Sequence, residues 1–180
     1  AKYIDHLKNE KFNSNGLDLS SLRIITSTGS PLAEESFKYV YENIKEDVHL
    51  SSIAGGTDMV GCLVLGNLYS AVYKGEIQGQ SLGIDVDVFT DDGRSTKDGE
   101  KGELVVKQPF PTMPVKFWGD EDGKKYHEAY FTRFKNIWHH GDFIERTANN
   151  GFIMRGRSDA TLNPGGVRIG TSEIYQQVED

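Results

Sequence analysis

Apolar positions along the chain follow two rhythms. In the first third, Leu22-Arg23-Ile24-Ile25-Thr26-Ser27 reads as a short apolar strand, Thr28-Gly29 as a turn, Ser30 as an N-cap and Pro31 as a first helical residue. Phe37, Val40, Tyr41 and Ile44 then recur at i, i+3, i+4 and i+7, the stripe of a buried helix, and His49 to Ile53 reads as the next strand. This order predicts a βαβ unit with parallel strands. Residues 1–16 are polar and predict a peripheral helix followed by a loop around Asn13-Ser14-Asn15-Gly16.

From about Val72 the rhythm changes. Ile84-Asp85-Val86-Asp87-Val88 alternates with period two before a turn at Asp91-Asp92-Gly93, and Gly102 to Lys107 makes another strand. Phe143-Ile144-Glu145-Arg146 and Phe152-Ile153-Met154-Arg155 flank Asn149-Asn150-Gly151, a hairpin signal. Short strands at this spacing predict a small antiparallel sheet or barrel. The Pro- and aromatic-rich residues 109–138 predict an irregular loop with a short helix near Asp122 to Tyr130. Ile174, Tyr175 and Val178 predict one face of a helix opening near Thr171 or Ser172, with Glu173 in its first turn. The fold class expected is α/β plus β. Residues 1–70 form the end of an α/β nucleotide-binding unit, 71–158 a barrel-like unit, and 159–180 a hinge with the start of a further small domain. The first residue is not Met and the last helical pattern is unfinished, so an internal segment of a longer protein is expected.

Composition narrows the function. Hydrophobic residues make up 37% of 180 and charged residues 26%, a globular balance. A formal net charge of -7 argues against nucleic acid as a partner, because phosphate-backbone binding needs a basic surface. No apolar run approaches the roughly 18–20 residues of a membrane span, and no signal peptide or lipidation motif is visible. Cys62 stands alone, so no internal disulfide forms and a cytoplasmic setting is expected. With no evident His partner, it reads as a small buried hydrophobe rather than a nucleophile.

Four places can carry chemistry. Gly29-Ser30-Pro31 lies after a strand and before a helix, where ligands and anions are favoured, although a plain capped turn has the same sequence. Gly55-Gly56-Thr57-Asp58 also follows a strand; the glycines allow close backbone approach, and Thr57 with Asp58 can serve a phosphate oxygen and its Mg²⁺. An ordinary turn reads the same way, and no Walker lysine follows. His139 and His140 are adjacent in a strand and point to opposite faces, so they do not readily chelate one ion. Asp142, two residues on, can accept hydrogen bonds from both hydroxyls of a ribose. Finally Arg157 and Arg168, set around Asp159, Gly165, Gly166 and Glu173, can grip phosphate bidentately.

These motifs, in this order, resemble the adenylate-forming superfamily of acyl-CoA synthetases over nearly the whole chain. The segments Gly55 to Cys62, Val72 to Gln78 and Thr161 to Arg168 resemble most its acetoacetate–CoA ligases. The resemblance implies an enzyme that condenses a carboxylate (here acetoacetate) with ATP-Mg²⁺ to an acyl-adenylate and pyrophosphate, after which the thiol of coenzyme A displaces AMP. It implies that Gly29, Ser30 and Pro31 line the adenine, with Ser52, Ile53 and Ala54 beside it. Thr57 would contact the α-phosphate, and Asp142 and Arg157 the ribose. Asp58 stands where the family usually has Glu, so a water bridge to Mg²⁺ is an alternative to direct coordination. Arg168 would meet the α-phosphate, Asp159 would be the hinge and Gly166 would border the pantetheine tunnel. Acetate-activating relatives have Trp where Gly55 stands, so Gly55 leaves room for a longer acyl group; propionate or butyrate satisfies the same reasoning. The family's upstream phosphate loop and its C-terminal domain with a catalytic lysine are not in the sequence. The chain alone is therefore expected to lack ligase activity, to bind ATP or AMP weakly at most, and to self-associate through bare sheet edges. Another short- or medium-chain synthetase and a non-catalytic nucleotide-binding module are the alternative readings.

Overall fold

The computed structural model describes residues 1–162, 164 and 168–178. Helix α1 (Lys2–Asn9) precedes strand β1 (Ile24–Ser27), helix α2 (Glu34–Tyr39) and strand β2 (His49–Ser52). β1 and β2 pair in parallel, Ile24 opposite His49 and Ser27 opposite Ser52, as the βαβ pattern predicts. Their core comprises Ile4, Leu32, Phe37, Tyr39, Val40, Val48 and Leu50.

Two local expectations are corrected here. Ser30 and Pro31 do not open the helix. Leu32 is buried in the core, the chain is still extended at Ala33 (φ -65°, ψ 151°), and α2 starts at Glu34 with two acids in its first turn. Burial of Leu32 outweighs the local capping signal, and the glutamates favour the positive end of the helix dipole. The helical stripe also changes pitch. Val40–Ile44 is π-helical, closed by the Lys45 N–H donating to the Val40 carbonyl, so Tyr39 joins Phe37 and Val40 in the core.

Beyond β2 the strands are antiparallel. β3 (Ala54–Gly56), β4 (Gly61–Leu65) and β5 (Gly79–Gln80) form one sheet. β6 (Val86–Phe89), β7 (Lys101–Val106), β8 (Trp138–Arg146) and β9 (Phe152–Arg157) form another, hydrogen-bonded in that linear order. Reciprocal bonds between Ile77 and Phe152, at 2.7 and 2.8 Å, link the two sheets. The β8–β9 hairpin turns through Asn150 at φ 60°, as its sequence predicts. Helix α3 (Lys124–Tyr130) lies within the expected span and α4 (Thr171–Val178) begins where expected. The α4 start is tied by Glu173, which accepts from the Gly170 N–H at 2.8 Å and pairs with Lys101 of β7. Side chains of Tyr175 and Val178 lie outside the described residues.

β6 departs from simple alternation. Asp87 is buried with its neighbours Val86 and Val88. Arg146 at 2.6 Å, Ser95 at 2.7 Å and Lys107 at 3.3 Å satisfy its carboxylate; burial raises its pKa, but Ser95, the Val88 N–H at 2.8 Å and Lys107 outweigh it and hold the group below its ordinary value. The second core joins Met59, Leu63 and Val64 to Val88, Leu104, Trp138, Ile144 and Phe152. The β3–β4 arm thus packs against the four-stranded sheet, and a cleft opens where they meet.

Candidate nucleotide cleft

The cleft has a volume of about 550 Å³. β3 and the following turn bring Gly55, Gly56, Thr57 and Asp58 to one wall. α3 and the loop after it bring Ala129, Tyr130 and Arg133; β8 brings His139, His140 and Gly141. Arg157 ends β9, with Ser158 and Asp159 following in a single 3₁₀ turn. Four segments of the chain therefore converge on one hollow.

Asp142 lies buried beneath this surface, opposite Arg157 in the β8–β9 register. Arg157 Nη1 donates to Asp142 Oδ1 at 3.2 Å and to the His140 carbonyl at 3.3 Å. Gly141, at φ +82°, makes room for this: a Cβ there would sit 2.7 Å from Arg157 Nη2. Burial pushes the Asp142 carboxyl up, and His140 and Arg157 partly offset it. Burial likewise lowers the His140 pKa. Trp138 Nε1 donates to His140 Nδ1 at 3.3 Å, which leaves the proton of the neutral ring on Nε2, 3.6 Å from Asp142 Oδ2.

His139 and His140 diverge, as adjacent strand residues do. His139 Nε2 pairs with Glu103 at 2.8 Å. Glu103 was not foreseen as a site residue. Its side chain is 0% exposed, and it accepts from Arg168 Nη1 at 2.6 Å and from the Ser158 hydroxyl, with Arg133 Nη2 at 3.3 Å. Burial raises its carboxyl, but the bonds from His139, Ser158 and Arg168 and the Arg133 charge win and hold it at about 2. Sequence alone offered one clue: an acid followed by Leu104-Val105-Val106, three positions that are all buried.

Of the residues singled out from sequence, Gly55, Gly56, Thr57, Asp58, Arg157 and Asp159 line the cleft and Asp142 supports it. Arg168 does not line it; its guanidinium lies 4.2 Å from the Phe143 ring centroid, paired with Glu103. Gly29, Ser30 and Pro31 follow β1, and Ser52, Ile53 and Ala54 join β2 to β3, both outside the lining. Gly166 lies outside the described residues. Cys62 is half-buried, and burial pushes its thiol up, away from nucleophilic character.

Tyr130 and Arg133 are cleft residues that the sequence pattern did not reveal. Tyr130 donates to Asp58 Oδ2 at 2.5 Å, and burial followed by that carboxylate pushes its phenol up. Among the described residues no group of three His, Cys, Asp or Glu could hold a metal ion by itself. Asp58 and the Thr57 hydroxyl nevertheless suit Mg²⁺, which binds through one or two carboxylates while phosphates and waters complete its octahedron. No helix of the described residues is long and apolar enough to cross a membrane.

No family model matches the chain. The acetoacetyl-coenzyme A synthetase of Rhizobium meliloti (strain 1021) is 61% identical over 180 residues, covering 99% of the chain and 28% of that protein. The acetoacetyl-CoA synthetase of Gallus gallus is 50% identical over 163 residues, covering 90% of the chain and 24% of that protein. Among solved structures, the acetoacetyl-CoA synthetase from Streptomyces lividans matches with TM-score 0.89 and 36% identity, over 99% of the chain and 28% of that structure. The anthranilate CoA ligase AuaEII, solved with anthranoyl-AMP, matches with TM-score 0.71 and 22% identity over 87% of the chain, a likeness of fold alone. The chain thus spans about a quarter of the length of these relatives.

Proposed function

We propose that this chain, whose homologues are acetoacetyl-CoA synthetases, supplies the AMP-cradling cleft of an ATP-dependent acid–thiol ligase. The observation that carries the reading is the convergence of Thr57, Asp58 and Arg157 on one hollow, with Asp142 paired to Arg157 beneath it. The reaction is acetoacetate + ATP + CoA → acetoacetyl-CoA + AMP + pyrophosphate. A carboxylate oxygen bonds to the α-phosphorus as pyrophosphate leaves; the thiol sulfur then bonds to the acyl carbon as AMP leaves.

Each residue has a physical task. Thr57 offers a hydroxyl to the α-phosphate, and Asp142 and Arg157 hold the ribose diol. Gly29 to Pro31 and Ser52 to Ala54, at the carboxyl ends of the parallel strands, flank the adenine. Asp58 holds Mg²⁺ directly or through water; when bound, the ion offsets phosphate charge. Arg168 reaches the α-phosphate only by giving up Glu103, so its task is conditional on movement at Asp159, the proposed hinge. The proposed division is residues 1–70, a barrel-like 71–158 and 159–180; one apolar cluster is built from Ile4 to Leu50, while the other carries Met59, Leu63 and Val64 across the first boundary.

Two measurements test this reading. In the chain itself, Asp142→Ala should weaken AMP binding at least tenfold, about 1.4 kcal/mol, by calorimetry; equal affinity would remove Asp142 from the ribose site. In a protein of the relatives' full length carrying this segment, pyrophosphate release should be fastest with acetoacetate among acetate, acetoacetate, butyrate and 3-hydroxybutyrate. Equal rates would favour a less selective short-chain synthetase.

A further inference from the structure

Asp58 projects from an exposed turn, where an unsupported carboxylate would sample several rotamers. It is supported instead by Tyr130, 72 residues further along, which donates its hydroxyl to Oδ2. The Tyr130 ring is itself fixed. It lies on the Trp138 indole with centroids 3.6 Å apart and planes 12° from parallel, and Trp138 is buried in the main core. Phe117 and Tyr126 meet Tyr130 edge-on at 6.1 and 6.0 Å. Core, indole, phenol and carboxylate thus form a continuous stack ending at the cleft wall. Asp58 Oδ1 accepts no hydrogen bond from the described residues.

We propose that Tyr130 is a positioning residue for Asp58: it occupies one carboxylate oxygen and leaves the other free for the divalent cation that accompanies a nucleotide triphosphate. This rests on the nucleotide reading above. Without the phenol, Asp58 must be ordered when the cation–nucleotide binds. Ordering one flexible side chain is worth about two- to twelvefold in affinity.

The test uses the chain itself and its Tyr130→Phe, Asp58→Asn and doubly substituted forms. Phenylalanine keeps the stack on Trp138 and removes only the hydroxyl. Calorimetry should show Mg²⁺·ATP binding weakened about three- to tenfold in Tyr130→Phe. Metal-free AMP affinity should stay within about twofold, and the double variant should match Asp58→Asn alone. Hydrogen exchange supplies a readout independent of ligand. The turn bond from the Val60 N–H to the Thr57 carbonyl should exchange faster in Tyr130→Phe, with β6 and β7 unchanged. Equal losses for Mg²⁺·ATP and metal-free AMP, additive losses in the double variant, or unaltered exchange at Val60 would overturn the positioning role. A wild-type chain that binds neither nucleotide would overturn the nucleotide reading and the cation role together. A wild type that binds both, beside a Tyr130→Phe chain that binds Mg²⁺·ATP equally well, would overturn this inference alone.

Discussion

Glu103→Ala should lower the unfolding free energy by about 3–5 kcal/mol, seen as a shift of the urea midpoint with an unchanged slope. The carboxylate is fully buried, and four groups, on Arg133, His139, Ser158 and Arg168, point their donors at it. Alanine leaves the Arg168 guanidinium, 17% exposed, without its closest acid, and it detaches Ser158 from the sheet. Losing one member of a buried pair costs more than the pair contributes, because the remaining charge stays desolvated. Acid should produce a graded form of the same loss. The carboxyl titrates at about 2 in the folded chain against an ordinary 4.5, so its contribution is complete above 4.5 and disappears as pH falls from there towards 2. Glu103→Ala should therefore flatten stability against pH across that window; a variant with the wild-type slope would mean the network contributes nothing to folding.

Gly55→Ala should cost about 1–3 kcal/mol although it adds a single methyl group. A Cβ at Gly55 would lie 2.1 Å from the Gly61 carbonyl oxygen and 2.5 Å from Cys62 Cα, so β3 and β4 have to separate. These neighbours are backbone, which cannot rotate away as a side chain can. Gly79, in the same sheet, is the control: its nearest neighbour would be the Asn67 side chain at 3.5 Å, and Gly79→Ala should be nearly neutral. Exchange protection at Gly61 and Cys62 should fall in the first variant and not in the second. Because Gly55 runs directly into Gly56, Thr57 and Asp58, loosening this ladder also displaces one wall of the cleft. The structure thus gives glycine at 55 a backbone reason beside the acyl-pocket reason implied by family resemblance.

What could be read from the sequence follows the range of the physics involved. The strands β1 and β2, the hairpin at Asn149-Asn150-Gly151 and the span of α3 depend on neighbours within a few residues, so periodicity with turn chemistry located them, and the βαβ order then implied the parallel pairing of β1 with β2. The start of α2 was misplaced because burial of Leu32, a tertiary contact, overrode Ser30 and Pro31. Asp87 reads as an outward-facing acid in the alternating β6 pattern and Glu103 carries no local signal of a site, since the arginines that make their burial tolerable lie 59 and 65 positions away. Thr57, Asp58 and Arg157 could be singled out because their motifs are local, and the fold brings all three to one cleft. Tyr130 could not, because its significance depends on Trp138 beneath it and Asp58 beside it.

The tight β3–β4 crossing also limits how such a cleft can diversify. Codon 55 cannot be explored one amino acid at a time, since every residue larger than glycine first meets the opposite backbone. Compensating changes around Gly61 and Cys62 would have to arise beforehand or together, an epistatic barrier to any larger side chain at that place.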